Sequence, residues 1–171
     1  MSSRSETTRY APWAFGSEAW ARLDRCWASC RAGYSVSDVA GNVEVVRAVY
    51  DAVARRDTNA VLALYDPAVE WDTSHIPLVA QGIYHGHAGL RRWFGEWYEA
   101  WKDLEEDCEE MIEAGDKVVV VTTARARGRV SGADVEWLHR AGVWTLREGK
   151  VVRVVWFPTR REAFEAVGLP E

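Results

Sequence analysis

From Asn42 onward the apolar positions fall into two successive periods. Val45, Val46, Val49, Tyr50 and Val53 recur at i, i+3, i+4 spacing, which predicts a helix with one buried face, and Asn42 stands where its cap belongs. "RRDTNA" interrupts that stripe. Val61, Leu62, Leu64 and Tyr65 then predict a short second helix that Pro67 ends, and "AVEWD" predicts a short strand. Gly86 opens a third helix, with Leu90, Trp93, Phe94, Trp97 and Trp101 on its buried side.

After that helix the period changes to two. "DCEEMIEAG", "DKVVVVTTARARGRV", "VEWLHRAGVWTLR" and "GKVVRVVWF" predict four strands. Gly115-Asp116, Ser131-Gly132 and Glu148-Gly149 mark them as antiparallel hairpin partners. Pro158 stops the last strand, Thr159 can cap a closing helix over 160–167, and Gly168 ends it. Helix, helix, strand, helix and four hairpin-linked strands make an α+β fold, with helices packed on one face of a curved antiparallel sheet.

Residues 1–41 differ in flavour, being rich in Arg, Ser, Trp and Cys. Ser17 can cap a helix with Trp20, Leu23 and Trp27 on one face and Gly33 at its end, followed by a linker at 35–42. Either this is an added arm that docks by its tryptophans, or the working domain starts further on. The expected organisation is therefore an N-terminal arm over 1–41 and one globular domain over 42–171.

Composition narrows the function classes. The net charge of −5, from 21 basic and 26 acidic residues, argues against a nucleic-acid surface. No apolar run reaches membrane-spanning length. Three cysteines with no signal peptide suit a reducing cytoplasm; Cys26 and Cys30 sit four apart, and read as packing residues, since no further metal ligands are near. Ten tryptophans imply large aromatic surfaces in a core, a pocket or an interface.

The blocks "VRAVYDAVARRDTNAVLALYDPAVEWD", "YHGHAGLRRWFGEWYEAW", "RGRVSGADVE", "VWTLREGKVVRV" and "TRREAFEAVGL", in this order over residues 42–169, resemble the SnoaL-like family of the nuclear transport factor 2-like superfamily. The resemblance implies a cone-shaped α+β barrel, in which a strongly bent sheet wraps the first helix and encloses a pocket. It further implies a small hydrophobic molecule as partner, no metal and no cofactor, and dimerisation through the sheet. Relatives include polyketide cyclases, steroid isomerases, epoxide hydrolases and dehydratases, alongside binders that do no chemistry.

Isomerising and cyclising relatives need a base beside a carbonyl and a donor for the oxyanion. Asp72, at the end of the first strand, resembles the steroid isomerase base in position; as plain chemistry it equally suits a cap on the turn that "DTSH" begins. His75 is its expected helper at the pocket rim, or else a surface loop residue. The isomerase tyrosine falls at Val49, beside Tyr50, which becomes the candidate donor, while the second acid falls near Gly142, which offers none. His139, Trp144 or Tyr50 is left for that role. Strand alternation lets only one of His139 and Arg140 face the pocket, and groups Leu138, Arg140 and Gly142 against Trp137, His139 and Ala141.

The epoxide-hydrolase Asp–Arg–Asp set finds Arg125 and Arg127 on a central strand, but pairing with Glu136 or Glu109 on neighbouring strands is the plainer expectation. His85 and His87 tempt a metal reading and more simply cap the third helix and face solvent. Trp71, Trp93, Trp97, Arg140, Trp144 and Trp156 are the expected ligand-binding wall, suited to a flat, hydrophobic, ring-bearing molecule. The last strand is apolar on both faces, so its outer face needs cover from a partner chain or from the arm; a homodimer through the sheet is expected. The function that follows is a cofactor-independent isomerase, cyclase or hydrolase using a pocket carboxylate as general base, or a non-catalytic binding module of the same fold.

Overall fold

The structure, a computed structural model, describes residues 41–55, 57–77 and 79–170. The helix expected from Ser17, with Cys26 and Cys30, lies outside them.

The described elements run α1 (Asn42–Ala54), α2 (Thr58–Leu64), β1 (Tyr65–Asp72), β2 (Ile83–His85), α3 (Gly86–Ala100), β3 (Trp101–Ala114), β4 (Lys117–Gly128), β5 (Asp134–Arg147), β6 (Lys150–Phe157) and α4 (Arg160–Val167). The six strands form one sheet in the order β2-β1-β6-β5-β4-β3. The sheet is mixed, since β1 runs parallel to β6 while the other neighbours are antiparallel, and it does not close into a barrel. The parallel pair follows from chain economy: α3 and the hairpin series separate the two strands, so no tight turn dictates their direction.

The concave face holds the main core. Val46 and Val49 of α1 and Leu90, Trp93 and Trp97 of α3 pack there against Val69 and Trp71 of β1, Val118 and Val120 of β4, and Trp144, Val154 and Trp156. A smaller core lies on the convex face, where Ala163 and Phe164 of α4 cover Val119, Val121, Ala141 and Val143. The chain's own last helix thus covers this face over β4 and β5, and reaches the last strand, for which cover was expected, at Phe157. Thr159 caps it by accepting from the Glu162 amide, and Gly168 ends it in the left-handed region at φ 72°, as expected. Arg160 anchors it, bridging Glu110 at 3.2 Å and lying 3.8 Å over the Phe164 ring.

Several local expectations change. Asn42 is not the cap of α1; Gly41 occupies that position, and the Asn42 amide instead donates to Gly115 O at 3.0 Å, tying α1 to the β3–β4 turn. Asp57 caps α2 from its side chain. Tyr65 and Pro67 belong to β1, where the β6 register is irregular between Tyr65 and Glu70, the kind of site that tolerates proline. Gly86 opens α3 at φ 65°, and a β-carbon there would meet Pro67 O at 2.9 Å, so backbone shape and closeness both require glycine.

Candidate functional site

The site grows from a fault in strand pairing. On β5, Leu146, Trp144, Gly142 and Arg140 alternate onto the concave face, as period two demands. Thr122 pairs with Arg140 but Ala124 pairs with Trp137, so three residues of β5 face two of β4. This β-bulge shifts the phase. Trp137 therefore joins the concave side with Arg140, contrary to the simple alternation that grouped it with His139, and Leu138 is left 55% exposed.

Arg140 is the group that faces inward. It is 6% exposed. Its guanidinium carbon lies 5.0 Å from the Trp156 ring centre, 5.5 Å from Trp97 and 5.6 Å from Trp137. Its Nε donates to Thr122 Oγ1 at 3.2 Å, and a terminal nitrogen donates to Glu106 Oε2 at 2.5 Å. Glu106 stands on β3 opposite Ala124. Arg140 is buried and Glu106 half-buried; such a pair is costly to desolvate, and an apolar pair of similar size commonly serves stability as well. The pair is set inside an aromatic wall.

Two tyrosines attend this pair. Burial, with the Glu106 and Cys108 charges adding and Arg140 opposing, pushes the Tyr50 hydroxyl well above the ordinary phenol range. Burial and Glu106 push Tyr98 up in the same way, again against Arg140. Both phenols stay protonated at neutral pH and can act as donors. The part-buried Tyr50, Phe94, Tyr98, Trp101, Leu104 and Trp137 pack against the fully buried core.

The expected wall is brought together. Trp71 lies 4.7 Å from Trp93, 5.9 Å from Trp144 and 6.2 Å from Trp156, ring centre to ring centre; Trp93 stacks on Trp97 at 5.7 Å, and Tyr50 lies 5.8 Å from Trp144. Among the described residues, the indole N–H groups of Trp71, Trp93, Trp144 and Trp156 and the Tyr65 hydroxyl are buried and find no acceptor. Each such donor costs about 1–3 kcal/mol, and folded proteins leave few of them. Acceptor oxygens entering this interior would recover that cost. Gly142 sits among them: a β-carbon there would meet Trp144 Nε1 at 2.9 Å and Trp156 ring atoms at 3.4 Å. The missing second acid is thus replaced by two indoles closing over bare backbone.

Asp72 and His75 lie elsewhere. Asp72 is 4% exposed but sits on the face of β1 opposite Trp71. Its Oδ1 accepts from the Ser74 amide at 2.8 Å and from Ser74 Oγ at 2.6 Å, the turn-capping arrangement. Its Oδ2 is 3.8 Å from Arg153 and 3.9 Å from His75 Nε2. The His75 ring stacks on Phe157 at 5.2 Å on the convex side. Arg153 also binds Glu70 at 2.6 Å. The structure does not bring Asp72 and His75 to Tyr50.

The remaining candidates resolve similarly. Arg125 pairs with Glu136 at 2.6 Å and Arg127 with Asp134 at 2.7 Å, both on the exposed face. His85 is exposed as expected and occupies the cap position of α3 without a side-chain cap, while the half-buried His87 reaches Tyr65 O at 3.1 Å. Among the described residues no group of His, Cys, Asp and Glu is placed to hold a metal ion. Sequence reasoning missed Glu106 and Tyr98. Glu106 sits in a run of acids, "LEEDCEE", that begins before the strand expected at Asp107, so only the early start of β3 reveals its direction.

The described residues contain no helix long and apolar enough to cross a membrane. The family model of the SnoaL-like domain matches residues 46–154. No curated protein matches the chain significantly. Among solved structures, an NTF2-like protein of Burkholderia thailandensis is 27% identical, with 75% of this chain and 98% of that one covered, at a TM-score of 0.62. An NTF2-like protein of Burkholderia pseudomallei is 26% identical, with 74% and 96% covered, at 0.60. TerC, co-crystallised with polyporic acid, is 26% identical, with 74% and 96% covered, at 0.59. A bent sheet wrapped on α1 and α3, matched over most of its length by this family model, makes the chain a member of the SnoaL-like domain family within the NTF2-like superfamily.

Proposed function

We propose that this protein binds a flat, largely apolar small molecule carrying a carbonyl, and acts on it as a cofactor-independent isomerase, cyclase or hydrolase whose chemical centre is Glu106 with Arg140. One observation carries the reading: an arginine 6% exposed, its guanidinium ringed by three indoles and bound to a carboxylate. In this scheme Glu106 takes the pocket-carboxylate role expected of Asp72. It removes a proton from the carbon next to the carbonyl, and the charge it gives up reappears on the enolate oxygen. Arg140 remains beside a negative charge before and after the step, so the interior never holds an unpaired ion. Tyr50 and Tyr98 supply neutral donors. Similarity to TerC makes polyporic acid a reasonable first ligand to try.

The non-catalytic reading keeps one observation in its favour: Asp72 is committed to the Ser74 turn. Exchange of the α-protons of tetralone for solvent deuterium separates the two. Wild type should accelerate the exchange, and Glu106→Gln should bind tetralone while losing the acceleration. Tetralone bound equally by both proteins, with no acceleration by either, would make this a binding module. Failure of tetralone and polyporic acid alike to bind would remove the ligand reading altogether.

A further inference from the structure

The bulge that turns Arg140 inward has a counterpart. On β3, Cys108 pairs with Thr122 and Glu110 with Val121, which leaves Glu109 surplus. On β5 the surplus falls at His139, held at φ 49°, a left-handed conformation that residues with a β-carbon seldom keep unaided. The two surplus residues meet across β4. His139 Nδ1 lies 2.7 Å from Glu109 Oε2, Thr123 Oγ1 donates to Glu109 Oε1, and the His139 amide donates to Thr123 Oγ1 at 3.3 Å. One residue along, on the opposite face, Arg140 reaches Thr122 and Glu106 on the same two strands. Two ladders thus run back to back, His139–Thr123–Glu109 outside and Arg140–Thr122–Glu106 inside.

We infer that His139, clasped by Glu109 and Thr123, is a positioning residue that aims Arg140 into the interior; its importance for function rests on the reading given above. The clasp fixes the bulge, and the bulge places Arg140 and Trp137 on the same face. Without it, plain alternation returns Trp137 to the outside, and Arg140 loses one of its three rings. Nothing in the clasp itself touches the interior, so its effect there passes through strand phase alone.

The test uses the full chain. His139→Val removes the ring and disfavours the left-handed backbone, while His139→Asn tolerates it. Glu109→Ala releases the clasp from β3 without altering β5, and serves if His139→Val fails to fold. The first readout needs no ligand: the Arg140 Nε–H resonance, identified by its loss in Arg140→Met. The second compares tetralone with tetralin, its carbonyl-free frame. His139→Val and Glu109→Ala should shift or broaden the resonance and weaken tetralone about tenfold while leaving tetralin within about twofold, and His139→Asn should restore both. An unmoved Arg140 resonance in variants that merely melt earlier would overturn the inference. A moved resonance with tetralone and tetralin weakened alike, or bound by no variant, would uphold the brace and remove the ligand reading.

Discussion

At the residue scale, Arg140 decides most. Arg140→Met leaves the half-buried Glu106 beside apolar rings with its partner gone, and should cost about 2 kcal/mol in denaturant unfolding, since residual solvent at the carboxylate softens the penalty of a stranded charge. Glu106→Leu added to it removes the stranded charge and should recover most of that loss; a double variant no more stable than the single would mean that packing, and not the ion pair, set the cost. Glu109 offers a pH counterpart. Burial raises its carboxyl pKa, but the Thr123 hydrogen bond, the His139 hydrogen bond and the His139 charge outweigh it, and the net shift is below the ordinary 4.5. A carboxyl lowered in the folded state contributes stability that is complete above its unfolded value and disappears as pH falls through the folded one. Acid unfolding of wild type should therefore steepen below about pH 4.5 relative to Glu109→Gln. The sequence could name Arg140 and His139 as alternatives but not choose between them, because an inserted residue in a strand leaves no mark in composition.

At the element scale, long periodic segments were legible and their junctions were not. The hairpin series from β3 to β6, the stripe of α1 and the capped α4 follow from apolar period and turn residues. The three-residue β2 is too short to show a period. Trp101 continues the tryptophan stripe of α3 in sequence, yet it begins β3, with no loop between helix and strand. Arg129 explains how so abrupt a change is held. Its amide donates to Ala100 O at 2.9 Å, and its guanidinium to Glu99 O at 3.1 Å, Tyr98 O at 3.3 Å and Trp101 O at 2.9 Å. Four successive carbonyls, which the end of a helix leaves unpaired, are gathered by one residue from the end of β4. Because these bonds are exposed, Arg129→Ala should cost only about 1 kcal/mol, a melting temperature lower by a few degrees, with Arg129→Lys recovering little since one ammonium cannot span the set. An unchanged melting curve would show that packing of Trp97 and Trp101 alone fixes the junction.

At the scale of the whole molecule, the sheet has two unequal faces. The concave side is closed by helices and filled with indoles; the convex side is covered by α4 over β4 and β5. Beyond that cover the exposed surface carries the Arg125–Glu136 and Arg127–Asp134 pairs with Leu138 at 55% exposure. A homodimer through the sheet, expected from the sequence, would have to use this surface. An apolar residue inside a rim of paired charges gives a modest interface, whose attraction is screened as salt rises. Light scattering should then find a dimer at micromolar protein and low salt, dissociating as ionic strength increases, and Leu138→Lys should leave a monomer throughout. A wild-type monomer at every concentration would assign the convex face wholly to α4 and its salt pairs. A dimer indifferent to both salt and Leu138→Lys would place the contact elsewhere, and leave the bulge at His139 facing solvent in the assembled protein.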